Sequence, residues 1–375
     1  MALAAHARRL ILIPVIGPPG IFDEVKAIMR IAVIGATGAV GRELLQLLER
    51  TTLPLTELVA TASPRSAGRA LPFGQQTLTV QATGPQLFEE NEPFDLVFFC
   101  AGSSISRELV PKALEHGATV VDNSSAFRGD DDVPLVVPEV NVDALDTAPP
   151  RRLVANPNCT TAVLLTAIAP LHRAAGVRAI IAASYQAVSG SGSRGIAELE
   201  AQSRMLVGGN QGEVAARVYP HQIAFNILPH VDAFHPGEAG YSGEELKLRN
   251  ESRKILGVAE LKVSATCCRV PVFRSHAVAA HLHLERELSP DEARGLCESA
   301  PGVVVQDAPA EAVYPLPLER ARKHEVAIGR IRRDEVFDPG LALWVVGDQL
   351  LKGAALNSLQ IAEALHKRGH LTSNG

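Results

Sequence analysis

The chain has 375 residues, 46% of them apolar and 21% charged, with a formal net charge of −5. That length accommodates two domains, each able to bury its own core. The acidic balance excludes a general nucleic-acid binder, which needs a basic face, and an aromatic content of 4% leaves too few rings for base-stacking platforms.

Residues 1–28 carry Arg8 and Arg9 ahead of an apolar run at 10–16. Gly17-Pro18-Pro19-Gly20 follows, where a secretory signal would place a small-residue cleavage site. Met29 stands directly before the first strand pattern, so 1–28 reads as an extension of doubtful relevance to the fold. No run approaches the ~20 apolar residues of a membrane span. The five cysteines (Cys100, Cys159, Cys267, Cys268 and Cys297) are odd in number and contain no C-x-x-C pair. Neither a zinc site nor a disulfide framework is expected, and a reducing, cytoplasmic setting is.

A short apolar run at 31–34 ends in Gly35, and a helical pattern follows with Leu44, Leu45, Leu47 and Leu48 on one face. Further strand-like runs occur at 58–60, 96–99 and 119–121, with a helical segment at 107–116 between the last two. Strands alternating with helices predict an α/β, Rossmann-like parallel sheet covered on both faces. After about residue 157 the pattern changes. A helix starts near Cys159 and runs through Leu164, Leu165 and Ile168, and a strand spans 179–185. A Gly/Ser-rich loop at 189–192 comes next, and a more alternating strand appears at 277–284. This second part reads as α+β with a mixed or antiparallel sheet. The last helix, 354–366, is expected to pack back on the first domain. The implied division is 29–157, 158–345 and a returning segment 346–375.

The loop after the first strand reads Gly35-Ala36-Thr37-Gly38-Ala39-Val40-Gly41. Its glycines permit close backbone approach, and the helix that follows offers unpaired N–H groups to a pyrophosphate. NAD-binding folds place an acidic residue ~20 positions further on. Here residues 61–68 contain no Asp or Glu, whereas Arg65, Ser63 and Ser66 can grip a 2′-phosphate, so NADP is expected.

Asn156-Pro157-Asn158-Cys159-Thr160-Thr161 precedes the second-domain helix. A cysteine at a helix N-terminus is favoured as thiolate by the dipole. The same N–H groups, with the Asn158 side chain, are candidates to stabilise an oxyanion. Hydride does not readily reduce a carboxylate but does reduce a thioester. A thiolate beside a nicotinamide therefore points to an oxidoreductase that carries its substrate as an acyl group on Cys159.

Several ordered segments together resemble the aspartate-β-semialdehyde dehydrogenase family, from about residue 29 to about 368. They are IAVIGATGAVG (31–41), ATASPRSAG (60–68), VVDNSSAFR (120–128), VPLVVPEVN (133–141), ANPNCTTA (155–162), SYQAVSGSG (184–192), EELK (244–247), CCRVPVFRSHA (267–277) and GDQLLKGAALNS (347–358). The resemblance implies Cys159 as acyl carrier and His276 as general acid/base. It implies Arg269 for the substrate α-carboxylate, Glu244 for the α-amino group and Gln186 for positioning. Arg128 and Lys247 would bind the leaving phosphate. Asn123, Ser189, Gly190 and Gln349 would border the nicotinamide or its ribose.

The implied reaction reduces L-aspartyl-4-phosphate to L-aspartate-4-semialdehyde, a step toward lysine, threonine and methionine. The family also implies a homodimer or tetramer. N-acetyl-γ-glutamyl-phosphate reductase is the nearest alternative, but its expected Pro-Gly-Cys motif is Pro157-Asn158-Cys159 here. Glyceraldehyde-3-phosphate dehydrogenase shares Cys-Thr-Thr but would show G-x-G-x-x-G. A non-catalytic relative would be expected to lose Cys159 or Arg269.

Overall fold

The structure is a computed structural model that describes residues 29–209, 215–238 and 240–371. The extension 1–28 therefore lies outside the described residues.

The first sheet is built from β1 (Met29–Ile34), β2 (Leu55–Ala62), β5 (Gln81–Ala82), β6 (Leu96–Phe99), β7 (Thr119–Asp122) and β8 (Leu153–Ala155). A small hairpin, β3 (Ala70–Phe73) and β4 (Gln76–Thr79), stands beside it. Connecting helices are α1 (Ala39–Leu48), α2 (Gln86–Glu89), α3 (Ser103–Glu115) and α4 (Pro138–Asn141). All pairings in the six-stranded sheet are parallel, in the order β5-β2-β1-β6-β7-β8. Strands buried on both faces must be apolar throughout, as Leu96-Val97-Phe98-Phe99 is. In α1, Leu44, Leu45 and Leu48 are buried and Leu47 is half-buried. Strand order reverses between β1 and β6, and the crevice beyond their C-terminal ends is where such sheets bind ligands.

The second sheet follows α5 (Cys159–Ala175). It comprises β9 (Val177–Gln186), β10 (Lys262–Arg269), β11 (His276–Leu284), β12 (Val303–Val305), β13 (Val326–Arg333) and β14 (Gly340–Gly347). The helices α6 (Gly192–Val207), α7 (Gly243–Leu256), α8 (Pro290–Glu298) and α9 (Pro317–Arg320) lie between its strands in the chain. Its order is β10-β9-β11-β14-β13-β12. The β9–β10 and β12–β13 pairs are parallel and the others antiparallel, which is the mixed sheet expected. One face packs on α5, whose residues 160–171 are all buried. The other face leaves Ile181 46% and Tyr185 36% exposed, with Tyr185 against Trp344 at 5.4 Å between ring centroids.

After β14 the chain makes a π-turn (Leu351–Ala355) and enters α10 (Leu356–Lys367). Leu359, Ile361, Ala362 and Leu365 of α10 join the apolar cluster of β1, α1 and β2. The Gly/Ser-rich stretch differs from expectation. Residues 188–191 form a 3₁₀ turn and α6 begins at Gly192, so the loop is itself a helix entrance.

Candidate active site

One cavity of ≈ 370 Å³ lies where the C-terminal edge of the first sheet meets α5, α7 and β11. It is lined by Ala39, Val40, Asn123, Arg128, Asn158, Cys159, Gln186, Ser189, Gly190, Glu244, Lys247, Arg269, His276 and Gln349. Residues far apart in sequence thus converge on the cysteine. Gly35, Thr37, Gly38 and Gly41 do not line it but form the loop that leads into α1. A Cβ on Gly35 would sit 2.6 Å from the Cys100 carbonyl oxygen, and one on Gly41 would sit 2.3 Å from the Gly35 carbonyl oxygen. Gly35 also has φ +88°, a region that favours glycine. Ser63, Arg65 and Ser66 lie apart, at the end of β2. Arg65 is exposed and has no partner among the described residues.

Cys159 is the first residue of α5, and Asn158 is the cap: its Oδ1 accepts the N–H groups of Thr160 (2.9 Å) and Thr161 (3.2 Å). This corrects one expectation, because those two donors are consumed by the cap and are not free for an oxyanion. The amide of Asn158 donates to Glu244 Oε1 at 2.9 Å, so its side chain is already held on both ends. A second correction concerns the thiol. Burial, with the Glu244 carboxylate, pushes Cys159 up to about 11, against the lowering by Arg269 and Arg128. The helix terminus alone does not make a thiolate here.

His276 is fully buried. Its Nδ1 accepts the Ala187 N–H at 3.0 Å, while Nε2 has no partner among the described residues. Nε2 is therefore the nitrogen available to a substrate. Burial and the nearby Arg269 hold the ring well below the ordinary histidine range, so it is neutral at pH 7.

The charges around Cys159 are unevenly paired, two of the cations holding the carboxylates and Arg269 holding none among the described residues. Arg128 pairs with Glu251 at 3.1 Å and donates to the carbonyls of Asn156 and Asn123, both at 2.8 Å. Lys247 sits between Asp232 (2.7 Å) and Glu244 (3.4 Å). Glu244 also accepts from Gln186 Nε2 at 2.9 Å. Arg269 is only 7% exposed, yet it meets no carboxylate among the described residues. It donates to the Ala187 carbonyl at 2.7 Å and lies over the Tyr219 ring at 5.9 Å. A buried guanidinium without a counter-ion is costly unless an anion arrives. Gly190 keeps the approach open: a Cβ there would sit 2.8 Å from Arg269 Nη1 and 3.4 Å from His276 Nε2.

Other contributors escaped sequence reading. Ser125, Val231, Leu350, Gly353 and Ala354 line the same cavity. Glu251 Oε2 accepts the Asn158 N–H at 2.6 Å, and Lys254 Nζ donates to the carbonyls of Arg128 and Asp130. Residues 244, 247, 251 and 254 form one stripe along α7, at i, i+3, i+7 and i+10. Continuing the Glu244–Lys247 spacing down the helix would have found the last two.

A dinucleotide-type parallel sheet meeting a mixed sheet at a capped cysteine, a neutral histidine and an unpaired arginine defines a dinucleotide-dependent oxidoreductase with a cysteine centre. The family profile for the semialdehyde dehydrogenase NAD binding domain matches residues 30–148, and that for the semialdehyde dehydrogenase dimerisation domain matches 168–352. Aspartate-semialdehyde dehydrogenase of Aquifex aeolicus is 46% identical over 342 residues, covering 91% of this chain and 98% of the relative. That of Bacillus subtilis is 41% identical over 347 residues, covering 90% and 98%. Among solved structures, aspartate semialdehyde dehydrogenase II of Vibrio cholerae complexed with ASA superposes with TM-score 0.85 at 38% identity, covering 90% of this chain and 98% of that one. The Candida albicans enzyme with NADP superposes with TM-score 0.71 at 27% identity, covering 92% and 100%. The chain belongs to the aspartate-semialdehyde dehydrogenase family.

Proposed function

We propose that this chain reduces L-aspartyl-4-phosphate to L-aspartate-4-semialdehyde with NADPH, releasing phosphate. The observation that carries the substrate assignment is Arg269, a buried guanidinium with no carboxylate partner among the described residues, opening onto the cavity of Cys159. Its fork matches an α-carboxylate. Glu244, held by Asn158 and Gln186, faces the same cavity and receives the α-amino group. Together they read an α-amino acid whose side-chain acyl carbon reaches Cys159. N-acetyl-γ-glutamyl phosphate carries no free ammonium for Glu244, which disfavours the alternative substrate.

The glycine loop at 35–41 has the close backbone approach a pyrophosphate needs, and Ser63, Arg65 and Ser66 would hold a 2′-phosphate. The nicotinamide would lie toward Asn123, Ser189, Gly190 and Gln349. NADPH, when bound there, supplies the hydride.

Cys159 Sγ attacks the acyl carbon. The carbon–sulfur bond forms as the bond to phosphate oxygen breaks, the thiol proton passes to the departing phosphate, and phosphate leaves toward Arg128 and Lys247. Once the thioester carbon is reduced, His276 Nε2–H meets the oxyanion. Collapse of that oxyanion frees the aldehyde and expels the Cys159 sulfur as thiolate, which takes up a proton from solvent.

The uncovered face of the second sheet, with Ile181, Tyr185 and Trp344, is where we place the partner of a homodimer. Glutamate at Tyr185 and Trp344 should then shift the mass measured by light scattering to that of a monomer. We divide the chain into a nucleotide domain (29–157), a catalytic and dimerisation domain (158–345) and a returning helix (346–375). Among the described residues no helix is long and apolar enough to cross a membrane, and all five cysteines are free, which supports a cytoplasmic setting.

The test of the assignment is phosphate-dependent reduction of NADP with aspartate semialdehyde, run beside NAD and beside N-acetylglutamate semialdehyde. Folded protein that is inactive with all of them would overturn it.

A further inference from the structure

Arg274 lies two residues before His276, in the segment joining β10 to β11. It does not line the cavity described above. Its Nη1 donates to Glu43 on α1, the helix that leads out of the glycine loop, and its Nε donates to Asp348, just after β14; both distances are 2.5 Å. The Arg274 and Glu43 side chains are largely buried and that of Asp348 is fully buried. One guanidinium thus joins the nucleotide sheet's first helix to the catalytic sheet.

Asp348 has further bonds. It accepts the N–H groups of Leu350 (2.9 Å), Leu351 (3.2 Å) and Arg322 (2.6 Å), which sets the start of the π-turn. Within that turn Gly353 packs directly on the nucleophile: a Cβ there would sit 2.7 Å from Cys159 Cβ. On the other side, Ser275 has φ +74° although it is not glycine, and its N–H donates to Gln349 Oε1 at 2.8 Å. Gln349 in turn donates to Ser189 Oγ. A buried serine keeps such a backbone conformation only when its surroundings enforce it. The clamp on the residue before it and the bond from its own N–H to Gln349 are what enforce it.

We propose that Arg274 is a positioning residue: by clamping Glu43 of α1 to Asp348 it closes the two sheets on each other, holds His276 through the strained Ser275, and seats the π-turn against Cys159. The inference rests on the roles assigned above to His276 and Cys159. It adds a device outside the cavity that brings them into register, with Glu43 as its far anchor. A misplacement of catalytic groups by ~1 Å can cost on the order of a hundredfold in rate. Loss of one clamp bond, with the other retained, is therefore expected to cost at least about tenfold in kcat.

The test compares Glu43→Gln, Arg274→Met and the double variant with the parent enzyme. Glu43→Gln is isosteric, lies away from the cavity and preserves the helix. Each single variant should lower kcat by at least about tenfold while the KM values for aspartate semialdehyde and phosphate stay within about threefold, and the double variant should be no worse than the poorer single. A second readout needs no cofactor. With the π-turn loosened, water reaches Cys159, and alkylation by iodoacetamide at pH 8 should accelerate several-fold over the parent. A Glu43→Gln enzyme with lowered melting temperature but parental kcat and parental alkylation would overturn the proposal, leaving the clamp a plain structural bridge. An inactive parent enzyme would instead remove the functional assignment on which it rests.

Discussion

Replacing Arg269 by methionine tests the substrate reading at its centre. The guanidinium is buried, keeps only the Ala187 carbonyl and the Tyr219 ring, and has no carboxylate among the described residues. A bound α-carboxylate would complete a buried, charge-assisted pair, and losing one member of such a pair costs about 3 kcal/mol. At 1.36 kcal/mol per decade, that is roughly a 150-fold fall in kcat/KM for aspartate semialdehyde. The unliganded protein should respond in the opposite sense. Removing an unpaired buried cation relieves a desolvation penalty, so the melting temperature should hold or rise. The discriminating assay adds 3-aminopropanal, which keeps the amine and aldehyde but lacks the carboxylate. Parent and variant should then agree within about threefold, because the lost partner has nothing to bind. Equal losses on both aldehydes would refute the reasoning and make Arg269 a general support of the site.

The thiol of Cys159, pushed up to about 11 in the unliganded site, should alkylate faster with every rise in pH from 7 to 10 without a plateau near neutrality. Glu244→Gln should speed alkylation at fixed pH, since the carboxylate raises the thiol, and Arg269→Met should slow it. The acid limb of kcat/KM should fall below the ordinary histidine value, because burial and Arg269 both depress His276; in Arg269→Met that limb should move upward. Gly353→Ala forces a methyl to 2.7 Å from Cys159 Cβ and should cost about 1–3 kcal/mol of stability by thermal or urea unfolding, together with most of the activity. Arg65→Asp should raise KM for NADP at least about tenfold while leaving KM for NAD nearly unchanged.

Much of the fold was legible because parallel-sheet strands announce themselves. Runs such as 96–99 are apolar on both faces, and the glycine loop marks the first strand-to-helix turn. The hairpin β3–β4 and the strand β8 were not anticipated, since they are short and lack a continuous apolar run. Entry into α6 was hidden by Gly190 and Gly192, which read as a loop although the turn and helix begin there.

The site was legible as separate motifs, and their meeting in one cavity depends on contacts that no spacing records. Glu251 and Lys254 act across the gap to Arg128 and Asn158 over more than ninety positions of chain. The thiol shows most clearly what sequence leaves out. A helix start predicts a lowered cysteine, but the sign is set by burial and by Glu244, which enter only through three-dimensional packing.

The most direct test of the account is a single turnover of aspartate semialdehyde with NADP and without phosphate, followed by mass analysis of the peptide bearing Cys159. A burst of NADPH equal to the number of active sites, with an aspartyl mass added at Cys159 that disappears when phosphate is supplied, is the predicted result. No burst, or an adduct on any other residue, would contradict it.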